Sequence, residues 1–292
     1  MKKNIFTEVL DDKSQKENDS NKLKSNSINE NINEKKDDNN TETNEIKISP
    51  KNLKTIEKIK KICSQEFIIL DDLKNICWNG IPFEDTKIRA ECWKYLLGLY
   101  PLKKELKQGT IQRKKDDYID MCNVYSNTLA NPDSVMNEEE YKIYKQIQKD
   151  IPRTMPESSL FQNEKVHFML TRILYIWSLR HPASGYVQGF NDLCVPFFIV
   201  FFLEPKKNID TILKLNNDEF KELYDEVLVE LEMNVYHSLT KLLDRIQTNY
   251  TSDQPGIKAN YYFKFFITIL NFFKIFLWGL GPIPINKIFL LC

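Results

Sequence analysis

The sequence predicts an all-α protein. Three observations carry that expectation. Apolar residues recur every three or four positions in several stretches, no stretch sustains the period-two alternation of a half-buried strand, and the residues between stretches are those that start and stop helices. With 292 residues, 42% hydrophobic and 12% aromatic, the chain is long enough to bury a sizeable core. No internal repeat is present.

In chain order, residues 1–49 come first. From about Asp11 to Ser49 they are almost entirely Asn, Lys, Asp, Glu and Ser, with too little apolar surface to offset the entropy of ordering, so a disordered tail is expected. The opening "MKKNIFTEVLDDKSQ" is interrupted by Glu8, Asp11 and Asp12 before it makes a signal-peptide core, which predicts a cytoplasmic protein. Ordered structure is expected from Pro50. "LKTIEKIKKIC" places Leu53, Ile56, Ile59 and Ile62 on one helical stripe with lysines opposite. "ILDDLKNICWNGIP" reads as a short helix opened by Asp71 or Asp72 and stopped by Asn79 and Gly80. "EDTKIRAECWKYLLGLYP" starts at an Asp85 or Thr86 cap, runs through Ile88, Cys92 and Leu96, and stops at Gly98.

"NEEEYKIYKQIQKD" is amphipathic and ends at Ile151, because the residue before Pro152 is pushed out of the α region. "NEKVHFMLTRILYIWSLR" is the most apolar of these helices, with Val166, Leu170, Ile173 and Trp177 on one stripe. Asp192 offers an N-cap for a last helix through Phe202, which would place Pro196 in its first turn.

Composition excludes several functions. Equal numbers of acidic and basic residues, 41 each, argue against a nucleic-acid binder held by charge. Only eight glycines occur and no phosphate-cradling GxGxxG or GxxxxGK[ST] pattern is present. The six cysteines show no CxxC pairing, as expected of reduced thiols, and the three scattered histidines suggest no metal site.

Two loops then stand out. In "DIPRT", Pro152 ends a helix and leaves Arg153 on the turn that follows. In "SGYVQGFND", Gly185 and Gly189 permit backbone angles closed to other residues, with Gln188 between them. Hydrolysis of a nucleotide γ-phosphate needs a permanent cation against charge developing on the phosphoryl oxygens and an amide to orient the attacking water. Arginine and glutamine supply those groups. Without a nucleotide loop of its own, this chain would have to meet the phosphate on another protein.

Three motifs resemble those of the TBC domain family, the Rab GTPase-activating proteins. RxxxW appears as "RAECW", Arg89 to Trp93; IxxDxxR as "IQKDIPR", Ile147 to Arg153; and YxQGxxD as "YVQGFND", Tyr186 to Asp192. The resemblance implies that Arg153 is an arginine finger and Gln188 a glutamine finger that stands in for the GTPase's own. Supporting roles follow for Arg89, Trp93, Asp150 and Asp192, with Tyr186, Gly189 and Asn191 in the same motif as Gln188. Trp93 reads as core rather than contact, and Asp150 as the charge partner of an arginine. The family's function also implies no cofactor here, since GTP and magnesium belong to the partner, and no enzyme in the strict sense, since the chain completes another protein's site. "CWNGIP", "RILYIWSLRHPASGYVQG" and "NYTSDQPGI" look closest to the Golgi-associated branch, which implies a peripheral place at Golgi or other endomembranes through the Rab.

The resemblance spans about Leu53 to Ile257, giving an expected domain at 50–258. A TBC domain continues with a second helical half, whereas residues 259–292 read "ANYYFKFFITILNFFKIFLWGLGPIPINKIFLLC", without one acidic residue. A domain truncated on its C-terminal side is therefore expected. The apolar tail has three readings: a membrane span interrupted by Lys264, Asn271 and Lys274, a native helix needing burial on every side, or translated non-coding sequence. The third fits best where the family-like text ends. A catalytically silent Rab-binding or membrane-tethered scaffold is the alternative function.

Overall fold

The computed structural model describes residues 49–203 and 225–246. The expectations for the N-terminal tail, the apolar tail and a second helical half fall on residues outside these. Among the described residues the structure is helical and contains no β-strand, only an isolated antiparallel bridge between Phe67 and Lys103.

Nine α-helices are present among the described residues: α1 Pro50–Cys63, α2 Leu70–Cys77, α3 Thr86–Leu96, α4 Lys107–Ala130, α5 Pro132–Val135, α6 Glu138–Asp150, α7 Glu164–Arg180, α8 Phe190–Leu203 and α9 Asp225–Ile246. Local chemistry sets their ends. Ser49 caps α1 through its side chain, with Pro50 at the first helical position. Asp85 caps α3 by accepting from the Ile88 N–H at 3.0 Å. Asn137 and Glu140 close a reciprocal capping box on α6. Gly98 ends the α3 region at φ +71°, a conformation that side chains with a Cβ resist. Helix α2 begins at Leu70, with Asp71 and Asp72 in its first turn rather than at the cap.

Helices α7 and α8 form the centre. From Met169 to Ser178 every residue of α7 is buried, and α8 is buried nearly all round from Phe197 to Leu203. A helix apolar on all sides needs neighbours on all sides. Helix α6 packs against α7, α3 against α8, and α9 lies along α4, α7 and α8. The Trp93 ring on α3 meets Phe197 of α8 edge-on at 5.9 Å.

Three helices carried no prediction, the single-turn α5 among them. Helix α4 buries only Tyr118, Cys122 and Leu129, so its apolar stripe is too thin to register as a period. Helix α9 interleaves buried polar residues, Glu232, Asn234 and Ser238, with its apolar ones, which blurs the pattern. One correction concerns α8. It starts at Phe190, two residues before the predicted cap, because the Gly189 carbonyl already accepts the Leu193 N–H at 3.3 Å. Asp192 is thus inside the first turn. Pro196 lies beyond that turn, in the helix body, where its ring removes an internal hydrogen bond.

A buried ion pair ties three helices. Arg172 of α7 donates Nε and Nη2 to the two carboxylate oxygens of Glu232 on α9, at 2.6 and 2.5 Å. Tyr118 of α4 donates its hydroxyl to the same carboxylate at 2.7 Å. Glu232 raises the Arg172 pKa above its ordinary value even though burial acts against the charge. Glu232→Ala should destabilise the chain by about 3–5 kcal/mol in urea unfolding, because it leaves a guanidinium buried without a counter-charge. The triple change Tyr118→Phe, Arg172→Met, Glu232→Leu should cost far less, since no charge is then orphaned.

Candidate functional site

The two loops that carry Arg153 and Gln188 are fastened to each other. Helix α6 ends at Asp150, and a single 3₁₀ turn, Ile151–Arg153, follows it. Asp150 is fully buried, at 0% exposure, and accepts three side-chain donors. The Tyr186 hydroxyl reaches one carboxylate oxygen at 2.8 Å; Arg153 Nη2 and the Gln146 amide, at 3.3 Å, reach the other. A second tie lies beside the first. The Thr154 hydroxyl donates to the Asp150 carbonyl at 3.1 Å and accepts from the Asn191 amide at 2.9 Å. The segment from Tyr186 to Asn191 is thereby held against the end of α6 by side chains at both of its ends.

Tyr186 has only one proton to give. The shorter, charged contact with Asp150 takes it, and the 3.3 Å approach of the hydroxyl to Asn191 Oδ1 is then no donation. Asn191 Oδ1 accepts instead from the Gly189 N–H at 3.2 Å. Burial, then the bond to Asp150, raises the Tyr186 pKa well above the ordinary phenol value.

The glycines answer to turn geometry. Phe190 N–H closes on the Val187 carbonyl at 3.1 Å, which puts Gln188 at the corner and Gly189 at the third position with φ +100°. A type II turn needs positive φ there. A Cβ on Gly189 would meet nothing within 4 Å, so the backbone angle alone demands glycine. Gly185, at φ +60°, turns the chain out of the α7 end. Gln188 is consequently exposed, and its side chain makes no hydrogen bond among the described residues.

Arg153 is exposed as well, at 54% of its side chain, and the Asp150 contact uses only Nη2. A guanidinium has five donors, so most of the fork stays open to a partner. The next residue but one, Met155, takes φ +42°, a left-handed conformation that costs a non-glycine residue about 1–2 kcal/mol. Asp192 contributes electrostatically from the second loop. Partial desolvation raises its carboxyl pKa, the Arg153 cation lowers it, and the Asp150 charge raises it again.

The remaining predicted residues lie elsewhere. Arg89 is buried and donates to the Ile81 carbonyl at 2.5 Å, bracing the segment before α3, and burial pulls its pKa down to about 10. Trp93 is core, as the sequence suggests, and its ring meets Phe197 of α8. Sequence reasoning missed Gln146 and Thr154. Thr154 is buried beside the exposed arginine, and a hydroxyl at that position was the available signal. A groove of about 580 Å³, lined by Asp117, Tyr125, Arg180, His181 and Tyr236 among others, includes neither Arg153 nor Gln188.

Tyr186→Phe leaves the buried Asp150 carboxylate one donor short and should cost about 1–3 kcal/mol in chemical denaturation. Gly189→Ala should also destabilise the chain, through the positive φ rather than through a clash.

The site's two loops fall within a stretch that matches known proteins. A family profile described as the Rab-GTPase-TBC domain matches residues 86–278. TBC1 domain family member 22B of Homo sapiens is 39% identical over 203 residues, covering 70% of this chain and 37% of that protein. GTPase-activating protein GYP1 of Saccharomyces cerevisiae is 40% identical over 210 residues, covering 70% of this chain and 31% of that protein. The chain thus spans about a third of the length of these relatives. The crystal structure of the Ypt/Rab-GAP domain of Gyp1p superposes with a TM-score of 0.61 and 34% identity, covering 78% of this chain and 74% of that one.

Proposed function

We propose, since this chain belongs to the Rab-GTPase-TBC domain family, that it is a GTPase-activating protein for a Rab-family small GTPase and supplies Arg153 and Gln188 in trans. One observation carries the reading: an exposed arginine and an exposed glutamine sit on two loops locked together through Asp150–Tyr186 and Thr154–Asn191. The named activity of the GYP1 relatives supports it.

In this mechanism the partner holds GTP and magnesium, and this chain brings no nucleotide site of its own. Asp150 orients the guanidinium, whose free N–H groups meet the phosphoryl oxygens as charge spreads over them. Gln188 holds the attacking water in line and takes the place of the partner's own glutamine. The Asp150–Tyr186 bond fixes one finger relative to the other before the partner arrives, so little ordering is left for the encounter. The protein would act on the cytoplasmic face of Golgi or other endomembranes, reaching the membrane through the Rab.

The test is single-turnover GTP hydrolysis on a panel of Rabs. Arg153→Ala should lose about 10³–10⁵ of the stimulated rate. Arg153→Lys should recover little, because a point charge cannot serve Asp150 and phosphate together. Gln188→Ala should lose about 10²-fold in rate with Rab binding retained. Unchanged stimulation by either alanine variant would refute the dual-finger mechanism, and binding without stimulation by the wild type would assign a scaffold.

A further outcome follows from charge that exists only near the transition state. A Rab·GDP complex carrying a planar γ-phosphate mimic should bind more tightly than plain Rab·GDP, and Arg153→Ala should erase most of the difference. Equal wild-type affinity for both states in a titration would contradict the mechanism.

A further inference from the structure

Glycine at the third position of the Gln188 turn permits the type II form without selecting it. Rotating the peptide between Gln188 and Gly189 through about 180° gives the type I form, which closes the same Phe190 N–H on the same Val187 carbonyl. Another group must make the choice. The Gly189 N–H belongs to that central peptide, and its partner is Asn191 Oδ1 at 3.2 Å. Asn191 is buried, so the bond holds only while the amide keeps its oxygen toward Gly189.

The orientation of that amide is set from outside the turn. Asn191 Nδ2 donates to the Thr154 hydroxyl at 2.9 Å and to the Asp192 carboxylate at 3.0 Å. Asp192 is the next residue and moves with the loop, whereas Thr154 is buried and held by its own neighbours. Its hydroxyl proton goes to the Asp150 carbonyl at 3.1 Å, its N–H to the Ile151 carbonyl at 3.0 Å, and its carbonyl accepts from Gln162 at 3.3 Å. With the proton so committed, only lone pairs face Asn191. A reversed amide would set its oxygen against those lone pairs and its NH2 against the Gly189 N–H, so the hydroxyl admits one orientation.

We infer that Thr154 is a positioning residue for Gln188. Its hydroxyl orients the Asn191 amide, and that amide holds the Gln188–Gly189 peptide in the type II form, which sets the backbone from which the Gln188 side chain projects. The assignment rests on Gln188 acting on the partner's water. It also divides the work of the junction. The Asp150 carboxylate orients the guanidinium and holds the glutamine loop at Tyr186, whereas the Thr154 hydroxyl acts on the turn itself.

The test compares Thr154→Val, which removes the hydroxyl at similar size, with Thr154→Ser, which keeps it. Thr154→Val should lose maximal single-turnover stimulation, up to about the 10²-fold expected of Gln188→Ala, at an unchanged half-saturating concentration. Thr154→Ser should restore most of it. In a Gln188→Ala background Thr154→Val should cost almost nothing more, because the group it positions is gone. In the free chain, amide exchange resolved to single residues should show Gly189 losing protection in Thr154→Val while Phe190, bonded in both turn forms, keeps its own. Thr154→Ala, which puts no methyl against the stranded groups, repeats each measurement should the valine variant fail to fold. An unchanged rate, a loss confined to half-saturation, a full loss in the Gln188→Ala background or an unchanged Gly189 amide overturns the assignment. A wild type that stimulates no Rab refutes the activator reading instead, and the Gly189 amide alone then decides whether Thr154 holds the turn.

Discussion

The Asp150 carboxylate, sealed from solvent at the end of α6, is the constraint on which the Arg153 and Gln188 loops both depend. A buried carboxylate is costly unless donors surround it, and here the donors come from three places: Gln146 one turn back on its own helix, Arg153 on the following 3₁₀ turn, and Tyr186 on the distant loop. Satisfying one charge therefore fixes the arginine and the glutamine loop together. The Thr154–Asn191 bond repeats the connection alongside. Neither loop could shift without stranding a polar group in the interior.

That junction is only as rigid as the helices that bear it. Helix α6 leans on α7, and α7 is held to α4 and α9 by the Arg172–Glu232–Tyr118 cluster. Helix α8, whose first turn follows Gly189, is backed by Trp93 and by α9. Buried polar contacts thus occur at two levels. One, deep in the helix bundle, fixes how α4, α7 and α9 sit; the other, at its edge, fixes two loops on that bundle. Apolar packing supplies most of the burial, but it is indifferent to a small rotation of α7, whereas a bidentate arginine is not.

What the sequence disclosed follows the same division. Helices α1, α3, α6 and α7 were legible because a broad apolar stripe or a cap marks each of them. Helices α4 and α9 were not, since the first buries too few residues and the second buries glutamate, asparagine and serine where a pattern expects leucine. Arg153 and Gln188 were legible from motif order and from the two glycines. Their fastening was not: Asp150 and Tyr186 are 36 residues apart, Thr154 and Asn191 37, and only tertiary packing brings them together. The start of α8 differs from the sequence reading because an aspartate near a helix end looks like a cap, whereas the Gly189 carbonyl opens the helix before it.

The pairing of Arg153 with Asp150 invites the objection that an arginine held by its own domain is unavailable to a partner. The geometry argues otherwise. The carboxylate engages one terminal nitrogen and lies fully buried, while the arginine side chain is half exposed, so the contact anchors the fork from behind and leaves its outer face to solvent. A freely rotating arginine would have to surrender up to about 2 kcal/mol of side-chain entropy on meeting a phosphate. An arginine already oriented by Asp150 has surrendered much of it on folding. Gln188, with no such tether, relies on the turn at Gly189 for its placement, which makes backbone geometry do for the amide what a buried carboxylate does for the cation.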